Sequence, residues 1–172
     1  EKRARSGPSS EKTNKAAQAA YQSGQIYMKL KQFPKAVEIL SIGGFALEAA
    51  EAAVQGGEVE KAAELFIAAK AFDRAASLYE QIGDTRRGHR VIGKKFQEER
   101  NFPAAAQAFE KGESWVEAAE MYEQTGDKSK AGEMLMRNGD YHRAGDLFLS
   151  VGETASAAQA FLGTRIPTEC SP

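Results

Sequence analysis

The sequence predicts an all-α chain, an α-solenoid of short antiparallel helical hairpins built from helix-turn units of about 13 residues. Three observations lead there. Residues 72–84 (FDRAASLYEQIGD) are restated almost word for word at 115–127 (WVEAAEMYEQTGD). Small residues recur every 13 positions at Ala36, Ala49, Ala62, Ala75 and Gly88, and after one step of 17 again at Ala105, Ala118, Ala131, Ala144 and Ala157. Around each marker the apolar residues fall at i, i+3, i+4 and i+7, which is one stripe of an α-helix and not the alternation of a strand. A fixed period of this kind is the signature of stacked repeats.

Each unit justifies its own helix. An aromatic or apolar residue stands three positions before the marker, as at Phe33, Val59, Phe72, Phe102, Trp115 and Tyr141. A second small residue follows the marker, and a bulky one lies four positions on, as at Leu40, Phe66, Tyr79, Phe109, Tyr122, Leu135, Phe148 and Phe161. Small residues in mid-stripe let a neighbouring helix approach closely, with the large ones to either side. Gly83, Gly126, Gly139 and Gly152 end their units where a left-handed residue is expected, and Asp84, Asp127 and Asp140 follow as N-caps of the next helix. Ser114 with Glu117 has the spacing of a capping box, and Pro34 and Pro103 lie in first turns, where the missing N–H costs nothing. A helix of about ten residues is only ~15 Å long and marginal alone, so the stack must be the folding unit.

In chain order, residues 1–14 are rich in Lys, Arg, Ser, Gly and Pro without apolar periodicity, and are expected to be a flexible basic lead-in. A repeat domain is expected over 15–162. The chain begins at Glu1 rather than Met and reads as a piece of something longer, or as processed. Within 15–48, Gly24, Tyr27, Phe33, Ala36 and Leu40, with Ala20 in the earlier apolar slot, stand at the mutual spacings of a tetratricopeptide repeat (TPR), which this stretch resembles. It departs from that pattern at Glu48, where a closing proline is usual, and at Ser23, where an apolar residue is. The later units, through A-x-x-L-Y-E-x-x-G-D at 75–84 and its counterpart with Met121 at 118–127, resemble the shortened helical repeats of SNAP-type vesicle-fusion adaptors and of clathrin, vesicle-coat and intraflagellar-transport subunits. That resemblance implies a TPR-like helical architecture and a role in protein binding, as a scaffold or adaptor in intracellular transport. The 17-residue step adds about one helical turn, so a single lengthened helix is expected near 85–99, protruding from the stack. After Phe161 the repeat stops, and 163–172 is expected to be a loose tail.

The candidate chemistry is sparse. Gly88 to Lys95 (GHRVIGKK) fits the Gly-x4-Gly-Lys of a phosphate-binding loop, except that Lys95 replaces the Ser or Thr that would hold Mg²⁺. Such a loop needs a strand before it, and a repeat helix is expected there instead, so nucleotide binding is a remote alternative. Neither His89 nor His142 has a ligand cluster at metal spacing, Cys170 is alone, and no Ser or Cys has a His/Asp companion implied by local sequence. No catalytic, cofactor or metal site is therefore expected, and the chain is read as a non-enzyme. The one charge anomaly is the stretch 85–100, where Arg86, Arg87, Arg90, Lys94, Lys95 and Arg100 outweigh Glu98 and Glu99 between two acidic halves. Arg86, Arg90 and Lys94 follow at i, i+4 and i+8 along one helix edge. Arg86, Arg87, Arg90, Lys94 and Lys95 form the candidate protein-binding site, suited to a partner with an acidic segment.

Nucleic acid is disfavoured by a net charge of −1 and because no aromatic-basic interleaving follows the basic stretch. No apolar run reaches the roughly 18 residues of a membrane span. The single cysteine fits a reducing compartment, so a cytoplasmic protein is expected. The open stripe of the last unit, Ala157, Ala158 and Phe161, leaves room for self-association or for membership of a larger coat-type or trafficking assembly.

Overall fold

The computed structural model describes residues 8–163, with side chains from residue 14 onward. Among the described residues there are eleven helices and no strand. They are α1 (Pro8–Lys29), α2 (Phe33–Ile42), α3 (Ala46–Gln55), α4 (Val59–Ala68), α5 (Phe72–Gln81), α6 (Thr85–Glu98), α7 (Phe102–Lys111), α8 (Trp115–Thr125), α9 (Lys128–Asn138), α10 (Tyr141–Ser150) and α11 (Thr154–Gly163). Within α1–α5 and within α6–α11, consecutive helices pack as short antiparallel hairpins, the TPR-like α-solenoid arrangement. The chain divides into two compact units, Glu1–Gly83 and Asp84–Pro172, at the turn between α5 and α6.

Helix α1 starts at Pro8, inside the stretch read as a lead-in, and runs for 22 residues. Residues 1–7 of that stretch, and all of the expected tail except Gly163, lie outside the described residues. The lengthened α6 is therefore not alone in exceeding one repeat, since α1 is longer than its 14 residues.

One backbone conformation closes every unit. Lys31, Gly44, Gly57, Lys70, Gly83, Arg100, Glu113, Gly126, Gly139 and Gly152 all have φ between 53° and 84°, and their spacing follows the same steps of 13 with the single step of 17. The residue after this left-handed position donates its N–H back to the carbonyl of the bulky stripe residue, as in Ser114 to Phe109 (2.9 Å), Asp127 to Tyr122 (2.9 Å) and Glu153 to Phe148 (2.9 Å). This is the six-to-one closure of a helix end. Asp84, Asn101, Asp127 and Asp140 then accept from the N–H three residues ahead and start the next helix. Ser114 does not behave as its sequence suggests. It stands at the N-cap, but its buried side chain makes no capping bond, so the box with Glu117 does not form.

The core follows the marker column. Ala36, Ala49, Ala62, Ala75, Ala105, Ala118, Ala131, Ala144 and Ala157 are all buried, and the bulky residues flank them. Packing register is legible at the glycines. A methyl group added at Gly24 would lie 2.4 Å from Leu40, at Gly93 2.6 Å from Phe109, at Gly132 2.8 Å from Phe148, and at Gly145 2.5 Å from Phe161. In each case the glycine receives the bulky residue of the following helix, sixteen positions on. Gly93 shows how α6 absorbs its extra turn. Gly88 keeps the spacing of the units before it, and Gly93 provides the slot required by the units after it. Phe96 packs against the core cluster of the second unit, so that stretch of α6 is docked there.

Candidate functional site

The basic candidates lie along α6. Arg86 pairs with Glu113 at 2.9 Å, and Arg90 donates from Nε to the Gly112 carbonyl at 2.8 Å. Gly112 caps α7, so this guanidinium sits on the negative end of a helix and satisfies one of its last carbonyls. Position 112 tolerates only glycine, since a Cβ there would meet Arg90 Cγ at 2.8 Å. Arg87 pairs with its own N-cap, Asp84, at 2.9 Å. Three of the five predicted residues are thus tied to turns of their own unit. Lys94 is exposed and Lys95 half-buried. Gly88 to Lys95 is helical throughout, with Gly88 N–H bonded to the Asp84 carbonyl at 3.1 Å. Its N–H groups point along a helix, so the Gly-x4-Gly-Lys spelling does not form a phosphate-cradling loop here.

Sequence reasoning missed a second surface. Helices of like parity meet across the helix between them. In the first unit Arg74 of α5 pairs with Glu51 of α3 at 3.0 Å over α4. In the second, Arg137 of α9 pairs with Glu110 of α7 at 3.5 Å over α8, and Arg143 of α10 with Glu123 of α8 at 3.7 Å over α9. Ser129 of α9 donates to Glu153, which leads into α11. Two grooves of matching register lie between odd-numbered helices. One, of about 330 Å³, is lined by Val54, Phe66, Arg74, Ser77 and Gln81 among others. The other, of about 320 Å³, is lined by Glu133, Met136, Phe148, Ser156 and Gln159 among others. An aromatic residue of the intervening helix floors each groove, Phe66 in the first and Phe148 in the second. The signal that could have found them is parity, since their lining residues recur at two-unit spacing rather than one.

Between these grooves in sequence, Tyr122 of α8 donates its phenol to Glu110 at 2.9 Å. Burial, together with the Glu110 carboxylate, pushes its pKa up to about 12. Lys130 lies 5.3 Å over the Tyr122 ring and Arg137 5.2 Å over Trp115. Tyr79 and Tyr122 are buried and Trp115 is partly buried, as core residues. Among the described residues no three His, Cys, Asp or Glu side chains gather as a metal could require, and no helix is long and apolar enough to cross a membrane. Cys170 lies outside the described residues. On α11 the marker Ala157 is buried, whereas Ala158 and Leu162 are exposed.

No protein-family profile and no curated protein matches the chain. Among solved structures it is similar to the nearly identical TPR-like repeats assigned to a Podosopora anserina kinesin light chain, at 14% identity over 86% of this chain and 92% of that one, with a TM-score of 0.41. A point variant of the same repeats gives 14% identity, the same coverage and a TM-score of 0.40. At that level of similarity the fold assignment stands on the helices, turns and packing register of the chain itself, and these make it a TPR-like helical repeat protein.

Proposed function

We propose that this chain is a protein–protein interaction module, a scaffold or adaptor that holds a partner segment in the grooves between its odd-numbered helices. The observation that carries this reading is the pair of register-matched grooves, each with an aromatic floor and a polar rim. Open clefts of this kind, built on rigid helices, suit an extended or helical segment whose few apolar anchors supply most of the affinity. The basic edge of α6 is the weaker candidate, because Arg86 and Arg90 already hold the α7–α8 turn. An acidic partner segment would have the exposed Lys94 to work with, and exposed pairs contribute little one at a time. The single cysteine supports a cytoplasmic setting.

A second reading, a structural subunit of a larger trafficking or coat-type assembly, draws on α11. There Ala158, in a column that receives a neighbouring helix in the other units, is exposed.

The test is affinity capture from native lysate with crosslinking and mass spectrometry, comparing the wild type with Ser77→Trp plus Gln159→Trp, which fill the two grooves, and with Lys94→Glu. The expected outcome is loss of the specific partner set with the groove-filled protein and its retention with Lys94→Glu. An unchanged partner set after filling both grooves would remove the grooves as the recognition surface.

A further inference from the structure

The packing register has an open end at α11. At Gly24, Gly132 and Gly145 the residue after the marker position faces the bulky side chain of the next helix. The alanines of the same column, Ala50, Ala63, Ala106 and Ala119, have no exposed surface. Ala158 of α11 stands in this column too, and it is exposed. No described helix follows α11. The sequence does not provide the next one in register, because Pro172 falls two positions after Cys170, where the next marker is due, and proline interrupts a helix interior. Among the described helices α11 alone carries no charged residue.

At the other end, α1 keeps the register one period before Ala36, with Ser23 at the marker, Gly24 after it and Tyr27 four positions on. Its nearest counterpart is α8, where Ala118, Met121 and Tyr122 stand at the marker, three on and four on. Packed behind by α7, these are 0%, 5% and 6% exposed. A lysine lies over the tyrosine in both helices, Lys35 5.6 Å from Tyr27 and Lys130 5.3 Å from Tyr122, so that contact does not stand in for the helix behind. In α1, Ser23 and Tyr27 are only half-buried, and Ile26 is 57% exposed. Helix α1 thus has the docking face of a repeat helix with no described helix behind it, and α11 the receiving face with none ahead.

We infer that α11 of one copy receives α1 of a second copy, head to tail, with Tyr27 seated against Ala158 as Phe161 is against Gly145 within one copy. Two open faces that obey one packing rule complement each other, whereas either face turned on itself sets slot against slot or bulk against bulk. From residue 14 onward α1 brings only Lys15 and Lys29 as charges, and α11 brings none, so no like charges meet. A contact between unlike surfaces leaves one free face at each end, so it extends beyond two copies. It is one helix wide, at the small end of protein interfaces, and association is therefore expected at high protein concentration. This inference rests on the assembly reading of α11 and gives that face its occupant; it does not depend on the grooves.

The experiment is sedimentation velocity on the whole chain over a range of concentrations. The average mass of the wild type is expected to rise with concentration and to pass twice that of the monomer. Ala158→Glu and Ile26→Glu replace exposed residues, so each should keep the wild-type melting temperature while losing self-association. Mixed together, the two variants should form one joint, α11 of the Ile26→Glu copy with α1 of the Ala158→Glu copy, and stop at a one-to-one dimer. A symmetric contact through either face cannot restore association in this way. If Ile26→Glu associates like the wild type and Ala158→Glu does not, α11 is an assembly contact that does not take α1, and this inference falls alone. If Ala158→Glu associates like the wild type, or the mixture of folded variants stays monomeric, the inference falls as well. If the wild type is monomeric at every concentration, the inference and the assembly reading fall together and the groove reading is untouched.

Discussion

Ala118 has no exposed surface, and it sits in a column that is alanine at nine of its ten positions and glycine at the other. Replacing it with leucine forces bulk into a helix-crossing contact, and Ala118→Leu is expected to destabilise by about 1–3 kcal/mol in urea melts. A second residue-scale expectation concerns Tyr122. Its phenol, raised to about 12, ionises later in the folded protein than the ordinary value near 10. The folded state therefore keeps its proton where the unfolded chain loses it. The stabilisation from this group is complete below pH 10 and is lost as pH rises through about 12. Absorbance titration near 295 nm should show one late phenol, and Glu110→Gln should bring it to lower pH. Both residues were legible as core from spacing alone. The capping box at Ser114 was not, because a sequence pattern does not reveal that the serine is buried or that two arginines hold the turn before it.

At the scale of the element, the sequence announced nearly every helix and turn, because each 13-residue period carries its own start and stop signals. Parity is what it concealed. Adjacent helices share one stripe, but the polar contacts Glu51–Arg74, Glu110–Arg137 and Glu123–Arg143 each skip a helix, so they are invisible to a reading of one unit against the next. This yields an expectation for deletions. Removing 118–130, one period, places downstream helices in the opposite orientation and exchanges the faces on which these pairs form. Removing 118–143, two periods, preserves orientation and face. The two-period deletion is expected to retain a higher helicity per residue and a higher urea midpoint, despite losing more chain. Equal behaviour in circular dichroism would show that direction and parity do not matter to the stack. The basic edge of α6 is the counterpart on the functional side. Its charge was plain in sequence, but its use was not, since partners such as the Gly112 carbonyl are backbone atoms and leave no charge signature.

At the scale of the whole molecule, the ten turns between the described helices all rely on a left-handed residue, and in three of them that residue is a cation, Lys31, Lys70 or Arg100. Each of these three is exposed, and each lies between two helices rather than within one. Lysine and arginine strain the backbone there by about 1 kcal/mol relative to glycine, so these are turns in which local opening is less costly. Trypsin cuts after lysine and arginine, and accessible turns are where proteases find extended chain. Brief digestion of the native protein should therefore cut first after Lys31, Lys70 and Arg100, ahead of the many basic residues inside helices. The resulting fragments, 32–70 and 71–100 among them, would each contain whole helices, three in the first and two in the second. The molecule thus carries a cleavage map in the same residues that close its repeats, and the masses of the first tryptic fragments would report the helical periodicity of the chain without any measurement of its structure.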